Sequence, residues 1–182
     1  MIEFAIVVLP LALLAFGIAE AGTAWVAHNR VEGAVSTAAR VGAAAGSEPD
    51  ADVRVLAALR LALPEEALEN LDRVVIFKPS DVRGSVPAGC IPDVGSPSED
   101  GLHGRCNTYT GATVRAIQVG DDLGKRDDYW QPIDRDDSLA GPEPDFLGVW
   151  VRTRHDNISG TFFGDITITR QSIFRLQPDI DG

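Results

Sequence analysis

The sequence predicts an α+β protein in two parts: a long N-terminal helix over residues 1–46, then a small antiparallel-sheet head over 47–182. Three observations carry this reading. Sixteen residues, Phe4 to Ala19, pass without a charge. Helical spacing of small and apolar residues then continues to Ala45, with no proline between Thr23 and Ser47. Beyond Asn70 the apolar period shortens from about 3.6 to about 2, the change expected where helix gives way to strand.

The uncharged run rises about 24 Å as a helix, and continuing through Ala27 takes it past the ~30 Å thickness of a bilayer core. Glu20 interrupts it. A membrane-inserted helix is the primary reading. A cleaved signal peptide would need a cationic start, and no Lys or Arg precedes Arg30, although Ala19-Glu20-Ala21 fits a small-x-small cleavage site. A core helix of a soluble protein would be expected to show a polar face, which this run lacks. Pro10 removes a backbone donor and predicts a kink, which lipid-embedded helices tolerate.

From Trp25 onward the helix becomes amphipathic, with Val31, Ala34, Val35, Ala38 and Val41 at three- and four-residue spacing and small residues on the apolar side. Gly42, Gly46, Ser47 and Pro49 end it. Asp50 or Asp52 can cap a second helix running to Leu63, and Pro64-Glu65-Glu66 reads as another helical first turn. Strands are predicted over 73–77, 114–119, 147–154 and 165–176, the last two by clear alternation. Two long connections rich in Gly, Pro, Ser and Asp separate them, Ser80 to Gly111 and Asp121 to Asp145.

The charge balance narrows the partners. Net charge is −11; three of the 27 acidic and two of the 16 basic residues lie in the first 46, so the head carries 24 acids against 14 bases. Such a surface repels phosphate backbones, which argues against nucleic acid. Cys90 and Cys106 enclose a fifteen-residue loop. In an exported domain they read as a disulfide; two free thiols or a metal site with His103 are the alternatives. The acidic loop lacks calcium-site spacing and reads as solvated. His155-Asp156 invites a catalytic reading, but neighbours in a strand point to opposite faces. Asn157-Ile158-Ser159 matches a glycosylation sequon by pattern alone. No nucleophile elbow, zinc-protease motif or phosphate loop occurs, so no catalysis, cofactor or small-molecule substrate is expected.

Glu3 has two readings of equal weight. It is either a headgroup-level residue favoured by the helix dipole, or a partner for the terminal amine of a neighbouring subunit that sets axial register.

The string Ile2-Glu3-Phe4-Ala5-Ile6-Val7-Val8-Leu9-Pro10-Leu11, followed by Phe16-Gly17-Ile18-Ala19-Glu20, resembles the N-terminal signature of TadE-like proteins, minor pseudopilins of tight-adherence (Tad/Flp) pili. Weaker similarity extends to Asp50-Ala51-Asp52, Val74 to Phe77, Cys106 to Thr110 and Arg175 to Pro178. The resemblance implies a pilin-like, non-catalytic protein, with a single membrane pass and an extracytoplasmic head. Its partners would be other pilins and assembly-platform proteins, and its role pilus biogenesis and adhesion. It makes Glu3, Phe4, Pro10 and Glu20 the candidate packing and register residues. Many members are cut just before the glutamate corresponding to Glu3; the basic residue and glycine usual there are not present in Met1-Ile2. The reading held against this one is a membrane-tethered binding or secretion-component domain. A tethered hydrolase, using His155 with acids of the 121–145 loop, is the third.

Overall fold

A computed structural model describes residues 2–91, 105–123, 130–138, 143–157 and 164–178. His103, Lys125 to Asp128 and the Ser159 end of the sequon lie outside the described residues. Helix α1 (Ile2–Ala45) leads into α2 (Ala51–Ala62) and the short α3 (Glu65–Glu69). Strand β1 (Leu71–Phe77), strand β2 (Cys106–Thr110), helix α4 (Gly111–Ala116) and the strands β3 (Phe146–His155) and β4 (Ile166–Arg175) complete the head. All neighbouring strands pair antiparallel, in the order β2-β1-β3-β4.

Alternation fixes which side of the sheet each residue serves. Val74, Ile76, Tyr109, Leu147, Val149, Val151 and Ile168 face the helices and form the main core with Val31, Val35, Val55, Leu56 and Leu59. Val75, Phe77 and Trp150 face the other way and are covered by Val86, Cys90 and Ile91. A bulge between Leu71 and Arg73 leaves Asp72 outside the ladder, where it pairs with Arg152 at 2.6 Å. Two glycines permit close approaches. A Cβ at Gly42 would lie 2.5 Å from Val55 Cγ2, and one at Gly148 would lie 2.4 Å from the Phe77 ring.

The outer cover is held by three kinds of tie. Cys90 and Cys106 form a disulfide with Cα atoms 6.3 Å apart. Thr108 Oγ1 donates to Cys90 O at 3.0 Å, and the guanidinium of Arg73 donates to Ile91 O. At the far side the amide of Gln171 bridges the loop, donating to Gly84 O at 3.0 Å and accepting from Val86 N at 3.3 Å.

The strand predicted over 114–119 is wrong. Gly111–Ala116 is helical, capped by Thr110 Oγ1, which accepts from Thr113 N at 3.1 Å. Val114 and Ile117 are buried at a helical spacing of three, and Val119 is exposed. The missing strand is Cys106–Thr110, whose inward residues are Asn107 and Tyr109 rather than aliphatics. Asp50 takes the N-cap position of α2 without a capping hydrogen bond and pairs with Arg54 instead, at 2.8 Å.

Asp52 has a different task. It is buried, and it accepts from Tyr109 Oη at 2.8 Å, from Asn107 Nδ2 at 2.5 Å, and from Arg135 Nη2. Asn107 also clasps the backbone of Trp130, donating to its carbonyl at 2.9 Å and accepting from its amide at 2.7 Å. The Arg135 guanidinium lies 4.6 Å from the centre of the Trp130 ring. The expectation of a solvated 121–145 loop is therefore corrected at Arg135, whose side chain is fully covered. Nearby, Asp136 is half-buried, and its carboxyl is held below its ordinary pKa by hydrogen bonds from the Ser138 hydroxyl and then the Ser138 amide.

Removing one partner of a buried ion pair strands the other charge in low dielectric. Arg135→Met should lower the urea-unfolding free energy of the full chain in detergent by about 3–5 kcal/mol, and adding Asp52→Asn should recover part of the loss. Replacing both cysteines by serine should cost about 2–4 kcal/mol in the same titration, a loss that reductant reproduces in the parent chain.

Candidate functional site on the N-terminal rod

Helix α1 spans 44 residues and runs unbroken past Pro10, a length of about 66 Å. Its first part is bare. Phe4 is 74 % exposed, Leu9 67 % and Ile18 70 %, and Ile6, Val7, Val8, Leu11, Leu13, Leu14 and Phe16 are exposed with them. Moving a large apolar side chain out of water gains about 1.5–3 kcal/mol, so ten of them outweigh the ~3 kcal/mol cost of an internal proline several times over. The helix is long and apolar enough to cross a membrane.

The upper part belongs to the head. Val31, Ala34, Val35, Ala38, Ala39 and Ala43 are buried against α2 and the sheet. Two contacts with β4 secure the register. Arg170 of β4 lies 3.6 Å from Glu32, and the Arg40 guanidinium sits 5.6 Å from the Phe174 ring centre. Strand β4 therefore runs alongside α1 in the same direction, with its first residues towards the bare end.

The junction between these parts was not legible in the sequence. Glu20 is only 7 % exposed, and Asn157 and Ile166, from the β3–β4 end of the sheet, line a small cavity with Gly17, Glu20 and Ala21. Just above it a groove of about 750 Å³ opens between α1, α3 and the end of β3, its walls including Gly22, Val26, Ala27, Pro64 and Ile168. His155 and Asp156 line it but do not act as a pair: His155 Nδ1 meets Glu66 Oε1 at 2.7 Å, while Asp156 accepts from Asn70 Nδ2 at 3.0 Å.

The four sequence-predicted packing residues are thus divided. Phe4 and Pro10 lie on the exposed apolar stretch, Glu20 is covered by the chain's own head, and Glu3 sits in the first turn with its side chain outside the described residues. Residues 1–40 match the family model of the TadE-like proteins. Over that stretch the rod is similar to TadE-like proteins. This agrees with the resemblance carried by Ile2 to Glu20. The TadE-like match stops inside α1 and includes none of the sheet. No curated protein and no solved structure matches the chain.

If the upper rod is core, it should resist added volume. Ala38→Leu, at a fully buried site, should lower head stability by about 1–3 kcal/mol. Ala44→Leu, at an exposed position of the same helix, should change it by no more than about 0.5 kcal/mol. Thermal melts of the detergent-solubilised chain followed by near-ultraviolet dichroism check both.

Proposed function

We propose that this chain is a non-catalytic, membrane-anchored component of a Tad-type pilus system, a minor pseudopilin whose head stands outside the cytoplasm. The observation that carries the reading is the bare apolar length of α1, from Phe4 to Ile18, lying within the stretch that matches the TadE-like family. An apolar rod that the head does not cover must be covered by lipid or by sister helices. A structural role for the head is favoured by one buried polar cluster, in which Asp52 is bonded by Asn107, Tyr109 and Arg135 and holds the fold.

In this role the lower rod anchors the chain and packs with pilin or platform helices, and the acidic head primes, caps or regulates assembly. Glu3 would set axial register by meeting the terminal amine of a neighbour, since a carboxylate drawn into lipid unpaired costs several kcal/mol. In the native host, Glu3→Ala should reduce sheared filaments several-fold while the head retains its melting temperature. Normal filament yield from that variant would sink the register role. Replacing Leu11 and Leu14 together by Arg should release the chain from carbonate-washed membranes, because each charge at mid-helix costs about 2.5–3.5 kcal/mol of insertion energy.

A further inference from the structure

We propose that the β3–β4 end of the head is a second membrane contact, seated among the lipid headgroups, where it shields Glu20 from the acyl chains. This rests on the anchoring part of the function proposed above and adds a surface to it.

The argument begins with length. The uncharged run from Phe4 to Ala19 has sixteen residues, about 24 Å of helix against a hydrocarbon thickness of about 30 Å. Filling the difference takes about four more residues, which brings Glu20, Ala21, Gly22 and Thr23 to membrane depth. Trp25 follows, 69 % exposed, at the level where tryptophan settles between hydrocarbon and water.

The head does not stop above this level. Along α1, Phe174 is near Arg40, Arg170 is near Glu32, and Ile166 shares a cavity with Gly17, Glu20 and Ala21. The sheet thus descends the rod until its β3–β4 end stands beside the last turns that the bilayer must accommodate. Asn157, beside Glu20, donates from Nδ2 to Gly164 O and closes the strand ends together.

Two further observations identify lipid as the occupant. Glu20 would be expensive at this depth if it faced hydrocarbon, yet it is 93 % removed from the surface by protein. The cavity beside it is lined by Gly17, Ala21 and Ile166, and Ile166 is still 38 % exposed, next to the exposed Asp165 and Asp156, an apolar side chain among charges that suits the headgroup layer. A soluble partner would have to reach that patch at the depth of the lipid itself.

The test places one environment-sensitive fluorophore at a time on the full chain in phosphatidylcholine nanodiscs, with Cys90 and Cys106 left oxidised. The positions are Leu13→Cys in the bare rod, Ile166→Cys and Asp165→Cys at the strand end, and Glu48→Cys at the far end of the head. Nitroxide lipids labelled near the headgroup should quench the Ile166 and Asp165 probes roughly twofold or more, as for groups within about 5–10 Å of the interface, and leave the Glu48 probe unchanged. The Leu13 probe should respond to lipids labelled deep in the chain. If Leu13 is quenched while both strand-end probes behave like Glu48, this inference is overturned and the anchor stands. If Leu13 is not quenched, the anchor fails and the inference falls with it. The exposed Asp165 site guards against disruption by the label at Ile166.

Discussion

The head is attached to its rod by the close approach that alanine and glycine allow along one stripe of α1. Val31, Ala34, Val35, Ala38, Ala39 and Ala43 are all but inaccessible, and at Gly42 even a methyl group would collide with Val55 and approach Leu147 within 3.1 Å. Larger residues here would lift the helix from the sheet and open space that nothing else fills. The stripe does more than bury area. By seating α1 against β3 and β4 in one register, with Glu32 opposite Arg170 and Arg40 over Phe174, it settles how far down the rod the head extends.

Such a helix answers to two solvents. Below Ala19 nearly every side chain would gain by leaving water; above Trp25 one face is core and the other is polar. The sheet needs covering on both sides, and α1 with α2 covers only one. On the other side the loop carrying Cys90 takes the place of a second helical layer. A loop has little apolar area of its own and many backbone groups to satisfy. That accounts for its ties: the disulfide, the Thr108 and Arg73 hydrogen bonds, and the two-ended bridge from Gln171.

The sequence made the rod legible because sixteen uncharged residues have few alternatives. The strands predicted over 147–154 and 165–176 followed from alternation, a pattern that packing reinforces, and the one over 73–77 from a short apolar run before Pro79; the structure has them at 146–155, 166–175 and 71–77. Cys106–Thr110 was hidden for the opposite reason. Its inward residues, Asn107 and Tyr109, are buried by hydrogen bonding to Asp52 and Trp130, and a polar group made tolerable by a distant partner leaves no hydrophobic period to read. Val114 and Ile117 misled because two apolar residues three apart fit a short helix or a ragged strand alike. Arg135 pairs with a residue 83 positions earlier, which no local pattern reveals. The burial of Glu20 is of the same kind, a consequence of where β3 and β4 end rather than of its own neighbours.

The face of α1 turned away from the head constrains what can pack beside it. Trp25, Asn29, Gly33, Thr37 and Ala44 are exposed along one stripe, so above the bilayer a neighbouring helix would meet mostly small and polar groups. Contacts of that kind stabilise little in water, because each hydrogen bond replaces one already made to solvent. Below Ala19 the balance differs: lipid offers no competing hydrogen bonds, and association depends on close packing and on the few polar groups present. In the register role proposed above, a carboxylate at the foot of an otherwise uncharged run, Glu3, would therefore have more influence than several charges on the upper helix. The head, by covering Glu20, withdraws one of the two acids of this stretch from any helix that would pack on the lower rod.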